Sequence, residues 1–143
     1  MNQLLQRAKE LNPEIVSHRR RFHQNPELGL HLPKTSAYIC EQLEKMGYQP
    51  QRIGDSSILA AVGNGDKTFL LRADMDALCV TEQTDLPFRS QNGCMHACGH
   101  DMHTAMLLGA AKLLRGHQSE LNGTVKLVFQ PDEEGFTGAK AML

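Results

Sequence analysis

Between Gly93 and His103 the chain places Cys94, His96, Cys98, His100, Asp101 and His103, so two thiols, three imidazoles and a carboxylate fall within one short stretch. Thiolate and imidazole donors at this density suit a zinc-like transition metal rather than calcium or magnesium, which take oxygen. The compact Cys98-Gly99-His100-Asp101 unit is the sharpest part. Gly99 permits a tight turn that aims both neighbours at one point, while Asp101 can orient the imidazole from behind. Cys94 and His96 read equally well as packing, because free cysteine is among the most buried residue types. A second group, Glu133-Glu134, follows an apolar run and Pro131, which stiffens the exit. On extended backbone these neighbours project oppositely, so one carboxylate can ligate a metal while the other takes a proton, a division of labour that hydrolytic metal sites need. Two carboxylates on a surface turn are the plainer reading. Asp74 and Asp76, two apart at a strand end, would face one side as ligand or supporting acceptor; strand-end capping or a salt bridge with Arg72 is their plain alternative.

These groups need elements to position them. Residues 2–24 carry apolar positions at helical spacing and predict a helix, with Pro13 near a start or at a break; His18 and His23 then fall on its polar face. Residues 25–29 read as a turn. Thr35 or Ser36 can cap a second helix running to Met46, closed by Gly47. Beyond Gly47 the period changes. Residues 49–53 and 57–62 read as short strands, and Gly63-Asn64-Gly65-Asp66 as a tight hairpin turn. Residues 68–73 form a buried strand delivering Asp74-Met75-Asp76 at its C-terminal end, where ligands gather in open α/β sheets. A loop over 77–98 leads to a helix over 102–115. A further strand, 124–129, ends in Gln130-Pro131-Asp132-Glu133-Glu134-Gly135, and a short helix begins near Thr137 or Gly138. Three chemically loaded segments thus share one edge of a sheet.

The 143 residues suffice for one domain with a core. With 15 basic against 16 acidic residues the net charge of −1 implies no polyanion-binding face, so nucleic acid is a poor partner and Arg19-Arg20-Arg21 reads as a solvated helix face. No apolar run approaches a membrane span, and residues 1–14 lack the apolar core of a signal peptide. Cytoplasmic localisation follows, and in a reducing compartment Cys40, Cys79, Cys94 and Cys98 are better placed to bind metal than to pair.

Arg20-Arg21-Phe22-His23-Gln24-Asn25-Pro26-Glu27-Leu28, Leu71-Arg72-Ala73-Asp74-Met75-Asp76-Ala77-Leu78, Met95-His96-Ala97-Cys98-Gly99-His100-Asp101 and Phe129-Gln130-Pro131-Asp132-Glu133-Glu134-Gly135 resemble, in order, the successive signatures of the M20 metallopeptidases. The nearest branch is the amidohydrolases that cut N-acyl amino acids, hippurate and auxin–amino acid conjugates. The resemblance implies an α/β fold, zinc-peptidase-like, with a mixed, mainly parallel sheet flanked by helices. It implies hydrolysis of an amide in a small-molecule N-acyl amino acid by water activated at a pair of divalent ions, zinc or manganese. By the same analogy Cys98, His100 and Glu134 match metal ligands, Glu133 the general base, and Asp76 an orienting aspartate; Asp74 stands where other branches carry a ligating histidine. Leu32, Cys79 and Cys94 depart from the usual pattern without removing a catalytic group.

Family members continue past the position of Leu143 into two further histidine ligands, the remaining strands and a lid domain that mediates dimerisation. The resemblance therefore implies that residues 1–143 are the N-terminal portion of a catalytic domain, holding one ion or none and inactive or nearly so alone. A half-built sheet would also leave an edge and apolar faces uncovered, favouring self-association or a homo-oligomer. The competing reading is a truncated pseudoenzyme that binds metal weakly or joins a partner chain. A thiol redox or zinc-finger module on Cys94 and Cys98 is weaker, because their spacing is not C-x-x-C and no second ligand pair follows.

Overall fold

Apolar residues at helical spacing and alternating strand patterns resolve, in the computed structural model, into α1 (Gln3–Gln24), α2 (Pro33–Lys45), β1 (Gln51–Ile53), β2 (Ser57–Gly63), β3 (Thr68–Asp74), α3 (His100–Gly116) and β4 (Thr124–Gln130). Single 3-10 turns follow at Gln118–Glu120 and Lys140–Met142, the latter standing where a short helix from Thr137 or Gly138 is expected. The structure describes residues 3–143; the start of the helix expected over 2–24 lies outside the described residues.

Helix α1 runs through Pro13 rather than breaking there. An interior proline removes a backbone hydrogen bond and crowds the preceding turn, costing about 3 kcal/mol. Packing on α3 offsets this. A β-carbon at Gly109 would stand 2.6 Å from Ile15 Cδ1, so glycine is what lets the two helices approach there, and Lys112 Nζ meets Glu14 at 2.6 Å across the same contact. Helix α2 begins at Pro33, with no side-chain cap from its own first residues. Thr35 and Ser36, the expected caps, are buried inside the helix. Glu27 caps it from the preceding turn instead, its carboxylate accepting the N–H groups of Lys34 at 3.1 Å and Thr35 at 2.7 Å. The Arg19-Arg20-Arg21 run is not simply solvated: Arg19 and Arg20 lie over the Phe88 ring and Arg21 over Tyr38.

The strands make one mixed sheet in the order β1-β2-β4-β3. The mixed, helix-flanked α/β sheet is as expected, but parallel pairing is confined to β3–β4, while β1–β2 and β2–β4 are antiparallel. Because β4 inserts between β2 and β3, the Gly63-Asn64-Gly65-Asp66 segment is not a hairpin turn. Gly63 and Gly65 do take positive φ (82° and 134°), yet the turn passes over the entry to β4, where Thr124 N–H donates to Lys67 O at 2.8 Å. Strand β3 consequently lies at the sheet edge and is not buried along its length: Phe69 is 73% and Leu70 57% exposed.

Ile58, Ala60 and Val62 of β2, Leu127 and Phe129 of β4, and Ala73 of β3 form the inner face, covered by Ile39 and Leu43 of α2 and Leu107, Leu108 and Ala111 of α3. Tyr48 closes the cluster, donating its hydroxyl to Ala111 O at 2.7 Å. No helix among the described residues is long and apolar enough to cross a membrane.

Candidate metal centre

Parallel pairing of β3 with β4 sets Asp74 beside Gln130, so the segments carrying Asp76 and Glu133-Glu134 leave the sheet side by side. Met75 N–H extends the ladder one step, to Gln130 O at 3.0 Å. Helix α3 starts at the same end and earlier than expected, at His100 rather than Met102. Gly99 precedes it with φ 101°, a conformation L side chains rarely adopt, and this aims His100 back at the strand ends.

His100 is the centre of the arrangement and is 2% exposed. Its Nδ1 donates to Asp76 O at 2.9 Å, which leaves Nε2 as the free ring nitrogen. Nε2 faces Asp74 Oδ1 and Glu133 Oε2, each at 3.7 Å, and Glu134 Oε1 at 3.9 Å. Burial alone would lower the pKa of this ring, but hydrogen bonding to Asp76 and the charge of Asp74 outweigh it and push the value up to about 9. A ligand that needs this nitrogen bare must displace a proton near neutral pH.

Asp76, 1% exposed, ties the two strand exits together. Its Oδ1 accepts Glu133 N–H at 3.0 Å and its Oδ2 accepts Glu134 N–H at 3.1 Å. Those bonds curl the segment, with Asp132 at φ 49° and Phe136 N–H closing on Glu133 O at 3.0 Å. The expectation that Glu133 and Glu134 project oppositely from extended backbone therefore fails: the segment is a turn, and both carboxylates reach the His100 ring.

Cys98, His100 and Glu134 offer ligand atoms that all lie within 4.8 Å of one another. Cys98 is exposed, and its thiol pKa is raised, first by hydrogen bonding to Glu134 and then by burial. Glu134 Oε1 is a buried carboxylate oxygen with no hydrogen-bond partner among the described residues, which a cation in this position would satisfy. Sulfur, nitrogen and oxygen donors converging on an unpartnered carboxylate oxygen fit a divalent metal ion.

A second set, Asp74, His100 and His103, is equally close-set, within 4.8 Å. His103 lies outside the residues expected to ligate, although its spacing from His100 places both on one helix face. Its Nδ1 lies 2.5 Å from Asp74 Oδ1. Asp74 also keeps its plain role, pairing with Arg72 at 3.4 Å.

The remaining thiols and imidazoles divide differently. Cys94 joins neither donor set, and all four cysteines are free. His96 is 5% exposed, neither ring nitrogen has a partner among the described residues, and burial pushes its pKa down to about 4, so the ring is neutral. His18 and His23 leave the polar face expected for them. His18 is buried with Nδ1 2.8 Å from the Tyr38 hydroxyl. His23, 2% exposed, bridges two buried carboxylates, Nδ1 to Asp101 Oδ2 at 2.7 Å and Nε2 to Glu82 Oε1 at 3.1 Å. Arg19 joins Asp101 at 2.8 Å. Glu82 also accepts Ser90 N–H at 2.7 Å, so α1, the start of α3 and the long 75–99 connection are clamped at one point directly behind His100.

The model of peptidase family M20/M25/M40 matches residues 70–143. The chain is 51% identical over 132 residues to an IAA-amino acid hydrolase of Arabidopsis thaliana, covering 90% of this chain and 30% of that protein. It is 43% identical over 144 residues to the hippurate hydrolase of Campylobacter jejuni, covering 98% and 37% respectively. The solved structure of a dinuclear metal-binding peptidase of the M20 family from Bacillus subtilis superposes with a TM-score of 0.88 at 38% identity, over 93% of this chain and 39% of that one. The chain spans 30–37% of the length of these curated relatives.

Proposed function

The chain belongs to peptidase family M20/M25/M40, and from that premise we propose that it forms the N-terminal portion of the catalytic domain of a metal-dependent amidohydrolase for N-acyl amino acids or related conjugates. The reading includes that residues 1–143 alone are inactive or nearly so. What carries it is the meeting of Cys98, His100 and Glu134 within 4.8 Å, with the Glu133 carboxylate 3.7 Å from the same imidazole nitrogen.

Cys98, His100 and Glu134 would hold a divalent ion, zinc being favoured over manganese by the sulfur donor. Such an ion supplies Lewis acidity to the attacked carbonyl and acidifies water. Glu133, partly exposed at the lip, is the general base: its carboxylate takes a proton from the attacking water and later returns it to the leaving amine nitrogen. Asp76 holds both glutamates and His100 in register without touching substrate. The near-neutral charge supports a small-molecule substrate over nucleic acid, and the four free thiols support a cytoplasmic setting.

Two measurements test this reading. Zinc titration of the 143-residue chain should give at most one tight ion, weakened about tenfold or more by Glu134→Gln, while the chain shows no turnover of hippurate. In a longer protein containing this segment, Glu133→Gln should cost about 10²–10⁴ in kcat with zinc affinity unchanged. Turnover by the 143-residue chain at the rate of a longer relative would refute the inactive-alone statement; unchanged kcat in Glu133→Gln would refute the base.

The reading also includes self-association. The outer edge of β3 has no strand partner among the described residues, and Phe69 and Leu70 stand exposed along it. Sedimentation velocity should show dimers or larger species that Leu70→Lys disperses; a single monomeric boundary for the unmodified chain counts against it.

A further inference from the structure

We propose that Cys79 and Cys94 are a reversible disulfide site, closed and opened by thiol exchange with a small disulfide such as oxidised glutathione. What places them together is an isolated antiparallel bridge in the long connection between β3 and α3. Leu78 N–H donates to Met95 O and Met95 N–H to Leu78 O, both at 3.0 Å, so these two residues form a hydrogen-bonded pair. One step along, Cys79 meets Cys94 in the non-hydrogen-bonded position, where antiparallel strands bring Cα atoms to about 4.5 Å. A disulfide spans Cα separations of about 4.4–6.8 Å. Cys94 is pinned in that position. Its N–H donates to Asn92 Oδ1 at 3.1 Å, the Ser90 hydroxyl donates to Cys94 O, and Gly93 at φ 80° lets the chain turn into it. On the other strand Val80 N–H closes on Leu78 O at 2.9 Å, a tight turn centred on Cys79 that ends the bridge. The two sulfurs sense each other: after burial, the charge of Cys79 is what raises the Cys94 pKa.

The other two thiols are engaged elsewhere. Cys98 hydrogen-bonds with Glu134, and Cys40 sits on α2 beside Arg52. Exposure sets the order of events, because Cys79 is exposed and Cys94 partly buried. The Cys79 thiolate attacks one sulfur of the small disulfide and breaks its S–S bond, leaving a mixed disulfide and releasing one glutathione thiolate, which takes up the proton Cys79 gave. The Cys94 thiolate then attacks the Cys79 sulfur, and the second glutathione leaves as thiolate and takes the proton of Cys94. Two protein thiols are thus oxidised to one disulfide while one glutathione disulfide is reduced to two thiols. The bond uses no donor of the Cys98–His100–Glu134 set, and it closes residues 79–94 into a ring that contains Glu82 and Ser90 of the clamp. Nothing in this depends on the catalytic reading.

The test equilibrates the 143-residue chain with mixtures of oxidised and reduced glutathione, quenches by rapid alkylation, and digests with trypsin without reduction. Cleavage at Arg72, Arg89 and Lys112 puts Cys79 in one peptide and Cys94 with Cys98 in the next, where fragment ions tell the last two apart. Peptides 73–89 and 90–112 should be joined through Cys94, with Cys98 alkylated. The equilibrium constant for closing the bond should be about tenfold or more higher in native buffer than in urea, because the fold holds the two sulfurs together. The link should persist in Cys98→Ser and vanish in Cys79→Ser, which leaves Cys94 without its partner. Linkage of Cys98 to either of the other two in native buffer, or a bond that closes no more readily in native buffer than in urea, overturns the site.

Discussion

Replacing Asp76 with alanine is expected to weaken zinc binding by about 10–100-fold, the usual consequence of removing a group that holds a metal ligand in place; the carboxylate fixes the Glu134 amide, while the backbone carbonyl that takes the His100 Nδ1 proton stays. The replacement should also destabilise the chain by about 3 kcal/mol, because hydrogen bonds to a charged acceptor are worth about 1.5–3 kcal/mol each and two are lost. The carboxylate is 1% exposed and accepts the N–H groups of Glu133 and Glu134, and its Oδ1 lies 3.5 Å from His100 Nδ1. Burial alone would raise its pKa, but the hydrogen bonds from His100 and from the two backbone amides prevail and lower it. Alanine leaves those amides without an acceptor and frees the turn that aims both glutamates. Asp76→Asn keeps one acceptor oxygen but presents an NH₂ to the other amide, so it should recover only part of the loss. Urea unfolding and zinc calorimetry on the two variants decide the matter; wild-type zinc affinity in Asp76→Ala would show that the carboxylate positions nothing.

Removing the His23 imidazole should cost about 3 kcal/mol, the upper end for leaving buried polar groups short of a hydrogen-bond partner. Both ring nitrogens lie within hydrogen-bonding distance of carboxylate oxygens, and the side chains of Asp101 and Glu82 are fully buried. In His23→Ala, Arg19 still pairs with Asp101, while Thr84 and Ser90 still donate to Glu82; the loss is therefore not larger. The same clamp predicts acid behaviour. Burial would raise the pKa of Glu82, yet hydrogen bonds from Thr84, Ser90 and His23 hold it down to about 2, from an ordinary 4.5. A carboxylate depressed on folding stabilises the fold above its unfolded pKa, and that contribution is lost as pH falls from about 4.5 through about 2. Without His23 less is left to lose, so the stability gap between wild type and His23→Ala should narrow as pH falls through that window. Urea midpoints at neutral and acid pH test it, and a gap under 1 kcal/mol at neutral pH would falsify the clamp.

The part of this centre that was legible in the sequence is the part carried by local pattern. The apolar run 68–73, the one at 124–129 and the helix following Gly99 fix which residues lie at strand ends, and that placed Asp74, Asp76, Cys98, His100, Glu133 and Glu134 at one rim. Asp74, whose pairing with His103 spans 29 positions, showed only as an open possibility. The clamp behind the site had no local signal: His23 meets its carboxylates 59 and 78 positions away, and a histidine on an arginine-rich helix looks solvated until the tertiary structure supplies its partners. The hairpin expected at residues 63–66 is absent for a related reason. A glycine-asparagine turn between two strands favours a hairpin, but the crossover through α3 returns β4 into the gap, and the longer-range pairing prevails. Glu27 capped α2 because Pro33, not Thr35, begins the helix, so the expected caps fell one turn too late.

The donors around His100 are split between neighbours in sequence and distant residues, and the split bears on how the chain acquires its ion. Cys94, Cys98, His96, His100 and His103 lie close enough together to chelate zinc in an unfolded chain, whereas Glu134 and Asp74 join only after β3 and β4 have paired. An ion captured early by that local tangle stabilises the denatured ensemble as well as the native one. Excess zinc during refolding is then a trap, and metallation belongs after the sheet has closed.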